Sequence, residues 1–338
     1  MDAAPVQYVS SDGISIAYSV TGAGEPFVFM PGPMTHLQLD WRLDGVRAWW
    51  ERLSERFRLI RYDGRGHGMS TRGLSKTHTV DDYVRDLEIV ADHLKLERFI
   101  LMAGGACHIA VRYAHKHPER VAAMILVGGW LSYDAGSSSS TISGLAYQDW
   151  ELFLYNFVPR SLPRDQAQIF YDILKQSTTP DDFHIGAEAM SASHIEDLLP
   201  QMTTPMLVIH TTSDETFLPL ATSTRFAQIA NARLVTLEGD SRVPELDKGL
   251  KAIDDFLASL PPGEPQPAVT AGISPGALSA REVEVLRLVA AGKSNQQIAD
   301  DLVISRNTVR RHVSNVFDKT GVANRAEAGM YARDHGLI

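Results

Sequence analysis

Two adjacent arginines near the carboxyl end of the chain, Arg310 and Arg311, have the type and spacing needed to recognise bases. Val309, Val313 and Val316 recur around them at helical intervals, which predicts a helix with one buried face and exposed arginines. A guanidinium presents parallel N–H donors that match the O6 and N7 acceptors of guanine. The pattern therefore predicts a helix whose exposed arginines suit recognition of guanine.

The elements around this helix are short and closely spaced. Ser279 opens a first helix with a capping box, and residues 291–293 break the chain after it. Ser294 opens a second helix, Ser305 caps the arginine-bearing third, and a fourth begins near Asn324. A helix, a short turn and an arginine-bearing helix are the plan of a helix-turn-helix DNA-binding domain.

Four blocks within residues 277–338 closely resemble the DNA-binding domain of LuxR-type regulators. They read LSAREVEVL, GKSNQQIA, ISRNTVRRH and KTGVANRAEA. The resemblance implies that helix 306–319 enters the major groove. It implies that three side chains face base edges (Arg310, Arg311 and Ser314) and that four lie nearer the phosphates (Lys293, Asn295, Thr308 and Lys319).

Charge is distributed unevenly along the 338 residues. Residues 277–338 hold nine basic and seven acidic side chains, a net charge of +2, whereas residues 1–276 hold 23 basic and 34 acidic ones, a net charge of −11. We therefore assign double-stranded DNA binding to the C-terminal part. Because so small a domain buries too little surface for specific affinity, we expect a homodimer on paired half-sites, held together by the large domain.

The two parts are joined by a segment that cannot form regular structure. Residues 261–276 read PPGEPQPAVTAGISPG, with five prolines and three glycines in 16 residues. Proline removes a backbone donor and glycine adds conformational freedom, so this segment is predicted to be a semi-extended linker. The linker divides the chain into domains at 1–260 and 277–338.

Apolar segments and helical segments alternate along the large domain. The predicted strands are 26–30, 57–63, 98–102, 122–127, 205–210 and 232–238, after a hairpin-like entry at 7–19, and the predicted helices are 79–95, 106–116, 219–230 and 246–260. This alternation predicts an α/β fold with a mostly parallel sheet covered on both faces. An aromatic-rich insertion at about 131–203 is too long for a connection and predicts a subdomain.

Three segments of the large domain resemble α/β-hydrolases. They are Pro31-Gly32 after a strand, RYDGRGHGMS at 61–70 and RYAHKHPERV at 112–121. The resemblance covers about 1–260 and implies that the insertion is the lid. In that family a strained turn between a strand and a helix exposes a nucleophilic serine, and an acid and a histidine follow along the chain.

The resemblance implies a catalytic triad of which the sequence retains only the acid. Matching on the helix at 109–116 places Gly104, which has no side chain, at the nucleophile position. Asp214 stands at the acid position and Arg242 at the histidine position, where an arginine cannot act as general base. Pro33, in the loop expected to form the oxyanion hole, has no N–H to donate. We therefore predict that the chain is not an enzyme.

Cys107, the single cysteine, is the alternative nucleophile. It lies three residues past Gly104 inside the following helix, and its neighbour His108 points to another face of that helix. We expect a small buried hydrophobic side chain. A single cysteine excludes an internal disulfide framework and fits a reducing cytosol. The sequence indicates no metal site and no cofactor.

A hydrolase-shaped cavity without its chemistry predicts a ligand site. Adjacent glycines let a ligand approach the backbone, lid aromatics supply apolar walls, and an arginine fork matches a carboxylate. These properties suit a small apolar acid, ester or lactone. The residues assigned to this site are Pro33, Gly104, Gly105, Trp150, Phe153 and Arg242.

These patterns predict a cytoplasmic, ligand-responsive transcriptional regulator with a catalytically degenerate hydrolase-like sensor. Two alternatives stay open, namely an active hydrolase fused to a DNA-binding domain and a dimeric transcription factor that binds no ligand. The first residues show no secretory signal, and the most apolar run, 121–131, is shorter than the ~20 residues of a membrane helix. We therefore expect no membrane partner.

Overall fold

The computed structural model divides into two compact units, Met1–Pro267 and Ala268–Ile338. This division falls inside the segment rich in proline and glycine. Each unit has its own hydrophobic core. The residues that the structure describes are 4–32, 34–128, 144–158, 162–212, 220–226, 229–238, 244–261, 280–302, 306, 309, 312–313, 316–317, 320, 322 and 325–334.

The described residues of the first unit form an eight-stranded sheet. In chain order the strands are β1 (Gln7–Ser11), β2 (Ile14–Thr21), β3 (Pro26–Met30), β4 (Arg58–Tyr62), β5 (Phe99–Gly104), β6 (Val121–Val127), β7 (Met206–Thr211) and β8 (Ala232–Leu237). Their spatial order is β1-β2-β4-β3-β5-β6-β7-β8. Only the pairs β1–β2 and β2–β4 are antiparallel among these neighbours, so the predicted mostly parallel sheet is confirmed.

Local sequence explains how the sheet begins and how it is covered. Asp12 and Gly13 both have positive φ, 52° and 80°, which is the geometry of a two-residue hairpin turn between β1 and β2. Every residue of β7 is buried, as expected for a central parallel strand with helices on both faces. Alternate residues of β3 enter opposite cores, since Phe27 and Val28 belong to different hydrophobic clusters.

Helices cover both faces of the sheet and form the insertion. They are α1 (Asp44–Ser54), α2 (Val80–His93), α3 (Cys107–Lys116), α4 (Trp150–Phe157), α5 (Arg164–Ser177), α6 (Pro180–Ser191), α7 (Leu220–Phe226) and α8 (Leu246–Ser259), with 3-10 turns at Leu39–Arg42 and Leu199–Gln201. One core contains α2 and α3, and the other contains α1 and α8. Helix α1 is an addition to the predicted alternation; it buries Trp49, Trp50 and Leu53.

The insertion between β6 and β7 has a core of its own. Helices α4, α5 and α6 pack around Phe153, which is fully buried. Phe183 of α6 lies 4.8 Å from the Phe153 ring, and Leu174 of α5 completes the contact. Met34, which follows β3, joins the same cluster. The insertion therefore packs on the loop at the carboxyl end of β3.

Polar contacts also tie the insertion to the loop after β4. The Asp182 carboxylate on α6 is buried and accepts hydrogen bonds from the backbone N–H groups of Gly73 at 3.1 Å and Leu74 at 2.6 Å. The Gly68 N–H donates to the Ser177 carbonyl at 2.6 Å. These bonds satisfy backbone donors that would otherwise be buried unpaired.

The second unit is a small helical domain. Its helices include α9 (Ala280–Ala290), α10 (Asn295–Leu302) and α11 (Arg325–Asp334). The described residues at 306, 309, 312–313, 316–317 and 320 are also helical. Val309 and Val316 are buried and Val313 is partly buried in one cluster with α9, α10 and α11. The predicted apolar stripe therefore faces the core of this unit.

Removal of the Asp182 carboxylate should loosen the insertion. We expect Asp182→Ala to lower the free energy of unfolding of the large unit by about 1.5–3 kcal/mol, because it leaves buried N–H groups unpaired. Urea titration followed by tryptophan fluorescence reports on this unit, since all five tryptophans lie between 41 and 150.

Asp181→Ala is the matched control, because Asp181 shares the first turn of α6 but its side chain is exposed. This change should cost less than about 1 kcal/mol. If both variants lower the free energy of unfolding equally, Asp182 is not the residue that holds the insertion in place.

Candidate functional site

The turn between β5 and α3 is built from residues with no reactive side chain. Strand β5 ends at Gly104 and helix α3 begins at Cys107, with Gly105 and Ala106 between them. Gly105 has φ of +72°, a left-handed conformation that residues with a side chain rarely adopt. Gly104 still pairs with Val127 of β6, so the chain turns one residue after the predicted nucleophile position. Neither glycine can supply a nucleophile.

Close packing fixes the position of this turn. A Cβ atom on Gly32, which follows β3, would lie 2.6 Å from the Gly104 carbonyl oxygen, so only glycine permits this approach. A Cβ on Gly104 would lie 3.4 Å from the Phe29 ring, which is an ordinary contact. A Cβ on Gly105 would meet no atom of the described residues within 4 Å. The surface of the turn is therefore open on the side of Gly105.

Cys107 is buried at the start of α3, as the sequence predicts. Its Sγ atom lies 3.9 Å from the carbonyl oxygen of Ala103 and 4.0 Å from that of Val127. Burial raises the pKa of the Cys107 thiol to about 12. The neighbouring His108 is also buried, and desolvation lowers its pKa to about 4. The thiol is therefore protonated and shielded, and it lacks the thiolate character of a nucleophile.

Buried charges hold the loop that follows β3. The Asp63 carboxylate accepts N–H hydrogen bonds from Leu37 at 3.1 Å and Met69 at 2.9 Å. Burial, opposed by these donors, raises the pKa of Asp63 to about 7. Arg61 is buried beside it, ion-pairs with Asp40 at 3.2 Å and lies over the Trp50 ring. This network orients the loop that packs against the turn at Gly104.

A small cavity lies beneath the loop after β3. Its walls include Gly32, His67, Tyr83, Asp86 and Met190, and its volume is about 20 Å³. Such a volume holds about one water molecule, whereas small-molecule sites measure roughly 300–1,000 Å³. Burial lowers the pKa of His67 to about 4, so its ring is neutral at physiological pH. The cavity has room for about one water molecule beside the neutral His67 ring.

The described residues that we assign to the ligand site belong to two parts of the large unit. Gly104 and Gly105 lie at the turn, whereas Trp150 and Phe153 pack inside the insertion, with the Trp150 ring 5.4 Å from Phe183. Phe153 is fully enclosed there, and Trp150 is half-buried. Two of the assigned positions, Pro33 and Arg242, lie outside the described residues, as does Asp214 at the acid position of the triad.

The second unit places two of the predicted DNA contacts close together. Lys293 and Asn295 flank the start of α10, where Ser294 and Gln297 form a capping box with bonds of 2.8 and 3.3 Å. The Lys293 ammonium pairs with Asp301 at 2.5 Å. The other predicted contacts lie outside the described residues: Thr308, Arg310, Arg311, Ser314 and Lys319.

None of the described helices has the length and apolar content needed to cross a membrane. Within the described part of the chain, no group of three His, Cys, Asp or Glu side chains is arranged to hold a metal ion.

Comparison with known proteins assigns a family to each unit. Residues 50–239 match the family model described as serine aminopeptidase, S33. The chain belongs to this S33 family. Residues 276–332 match the model described as bacterial regulatory proteins, luxR family, so the C-terminal unit is a LuxR-family DNA-binding domain.

Individual relatives cover the two units separately. The S33-family part is 29% identical over 212 residues to "Putative carbamate hydrolase RutD" of Caulobacter sp. (strain K31), which covers 57% of this chain and 78% of that protein. The LuxR-family part is 48% identical over 61 residues to the response regulator protein VraR of Staphylococcus aureus (strain NCTC 8325 / PS 47), covering 18% of this chain and 29% of VraR. The chain thus spans under a third of that regulator.

A solved structure shows the same fold as the large unit. The enol-lactonase from Burkholderia xenovorans LB400 aligns with a TM-score of 0.63 at 24% identity, covering 75% of this chain and all of that one. The predicted α/β-hydrolase-like fold with an appended helix-turn-helix domain is therefore confirmed.

Native Cys107 should resist thiol reagents. At pH 8 only a fraction of ~10⁻⁴ of a thiol with a pKa of about 12 is present as thiolate. We therefore expect iodoacetamide to label native Cys107 roughly a thousandfold more slowly than an exposed cysteine. The chain unfolded in urea is the control and should take up one label per chain, since it has one cysteine. Rapid stoichiometric labelling of the native chain would restore Cys107 as a candidate nucleophile.

Proposed function

We propose that the chain is a ligand-responsive transcriptional regulator, in which the S33-family unit binds a small molecule without hydrolysing it and the LuxR-family unit binds DNA. The observation that carries this proposal is the turn at Gly104 and Gly105. A chain that keeps the hydrolase turn, lacks the attacking group there and continues into a DNA-binding domain is suited to sensing.

The loss of catalysis extends beyond the nucleophile in this proposal. Arg242 stands where the family motif has a histidine, and a guanidinium cannot take a proton from water or serine. Pro33 cannot donate an N–H to an oxyanion. The retained acid, Asp214, then has no histidine to orient, and we propose that it pairs with Arg242.

The proposed effector is a small apolar molecule that carries an acid, ester or lactone group. Gly105 leaves space for a ligand at the turn, and the Arg242 guanidinium suits a carbonyl or carboxylate oxygen. Trp150 is the half-buried aromatic side chain of the lid that we assign to its apolar wall, with Phe153 behind it. Relatives named as a carbamate hydrolase and an enol-lactonase act on carbonyl compounds, which supports this chemical class.

The proposed DNA complex is a homodimer on paired half-sites. Arg310, Arg311 and Ser314 face base edges, while Thr308 and Lys319 lie nearer the phosphates. Lys293 and Asn295 add phosphate contacts at the start of α10. We assign dimerisation to the large unit, and we place the regulator in the cytoplasm, where it reaches chromosomal DNA.

The second candidate function is an active hydrolase fused to a DNA-binding domain. Membership of the S33 family favours it. The glycines at the turn and the buried Cys107 thiol count against it, because neither provides an accessible nucleophile. A third possibility, a dimeric regulator with no ligand, differs from the proposal only in its response to small molecules.

Ligand response is the first test of this function. We expect at least one compound among short-chain acids, esters and lactones, or an organic extract of the source cells, to change the DNA dissociation constant by about 5- to 150-fold, the range of typical allosteric coupling. Fluorescence anisotropy of the full chain on labelled DNA measures this.

Arg242→Ala is the matched variant for the ligand response. It should abolish the response and leave the affinity of the unliganded protein for DNA unchanged, because position 242 belongs to the first unit and not to the DNA-binding unit. The same DNA affinity with every compound and extract would favour the ligand-free regulator.

Base reading and phosphate contact should separate by mutation. Arg310→Ala should cost ~1–3 kcal/mol on the preferred site and relax preference at one base pair per half-site. Lys293→Ala should weaken binding to all sequences alike and reduce the slope of log K against log salt by about one per protomer. Titrations on preferred and random-sequence duplexes at several salt concentrations measure both. Indistinguishable behaviour of the two variants would mean that the recognition face is wrongly assigned.

A further inference from the structure

Arg325 connects the last described helix of the second unit to the start of α10. Its Nη1 donates to the Oδ1 atom of Asn295 at 3.0 Å, and its Nη2 donates to the carbonyl oxygen of Lys293. Arg325 is the first residue of α11, 30 positions away from Asn295 along the chain. One guanidinium therefore spans both residues that we assign to phosphate contacts in this segment.

The contact determines which way the Asn295 amide faces. A guanidinium has donors only, so the atom that meets Arg325 must be the amide oxygen of Asn295. The NH₂ group of the same amide then points away from the guanidinium. A phosphate has acceptors only, so an Asn295 side chain held in this orientation offers the donors that a phosphate needs.

The backbone bond to Lys293 holds the turn in front of α10. Gly292 has φ of +79°, and the Lys293 N–H donates to the Leu288 carbonyl at 3.1 Å. With the Arg325 bond on its carbonyl, both backbone polar groups of Lys293 are engaged. The direction in which this residue leaves the turn is thereby restricted.

We propose that Arg325 is a positioning residue for DNA binding, which orders Lys293 and Asn295 for phosphate contact from a different helix. The proposal rests on the proposed function, in which those two residues contact phosphates. Arg325 acts through its neighbours, so its removal should matter only while Asn295 and Lys293 are present to be positioned.

A double-mutant cycle on the full chain tests this role. The probe is a random-sequence duplex of about 30 base pairs, which is long enough for two half-sites one helical turn apart. We expect Asn295→Ala to weaken binding about 10- to 150-fold, the loss of one hydrogen bond to a charged group. Arg325→Ala should weaken it at least as much, and the double variant should bind within twofold of Arg325→Ala, because residues that act as a unit are not additive.

A lysine at position 325 separates positioning from charge. Arg325→Lys keeps the positive charge but cannot span two acceptors with a planar fork. If Arg325 is a positioning residue, Arg325→Lys should bind DNA as weakly as Arg325→Ala. Arg333→Ala, which removes an exposed arginine from the same helix, is the control and should bind within twofold of the unmodified chain. Circular dichroism verifies folding, and Arg325→Lys replaces Arg325→Ala in the cycle if the alanine variant unfolds.

Several results would overturn the proposal. Additive effects of Arg325→Ala and Asn295→Ala, with full affinity in Arg325→Lys, would make Arg325 a direct phosphate contact. If Arg325→Ala binds DNA with unchanged affinity while Asn295→Ala binds more weakly, the positioning role of Arg325 is wrong and the phosphate contact of Asn295 stands. If Lys293→Ala and Asn295→Ala both bind DNA like the unmodified chain, the assigned phosphate contacts are wrong. If the unmodified chain binds no DNA, the proposed function itself fails.

Discussion

The contact between Gly32 and the Gly104 carbonyl oxygen constrains the whole carboxyl edge of the large sheet. A side chain on Gly32 would begin 2.6 Å from that oxygen, so the loop after β3 lies directly on the turn after β5. The turn after β5 also requires Gly105 at positive φ. These constraints preserve the shape of a hydrolase site, although neither turn glycine has a group that could attack a substrate.

Buried side chains anchor the surroundings of this contact. Asp63 is buried and holds the loop after β3 through backbone N–H groups. Met34 from that loop enters the core of the insertion, and Asp182 binds the insertion to the loop after β4. Displacement of any of these elements would therefore be transmitted to the others through buried contacts.

Sequence patterns predicted the large unit well because the local order of apolar and polar residues indicates which side chains are buried. Runs of apolar residues predicted β3 to β8 with small differences in their ends, and the Gly104-Gly105 turn followed from the helix that comes after it. Helix α1 was not predicted, although Val46, Trp49, Trp50 and Leu53 recur there at helical spacing and form its buried face. This local pattern was available in the sequence and was missed. The residue with positive φ is Gly105 and not Gly104, because Gly104 still pairs with β6. This pairing joins segments that are distant in the chain, so the local sequence does not show it.

Partners distant in the chain could not be predicted from such patterns. Asp182 meets Leu74 across 108 positions, and nothing in either local segment indicates the other. The same holds for Arg325 and Asn295, although both lie within the motif blocks of the LuxR-family domain. Periodicity and motifs locate which side chains are buried or exposed. They do not report which polar groups satisfy one another in the folded chain.

The central claim is that the S33-family unit binds a carbonyl compound and leaves it intact. Native mass spectrometry of the full chain incubated with esters and lactones tests this directly, because it weighs the bound species. The account predicts a non-covalent adduct with the mass of the intact ligand, lost on collisional activation, and no hydrolysed product in solution. An acyl group retained on the chain, or accumulation of the hydrolysed product, would contradict it.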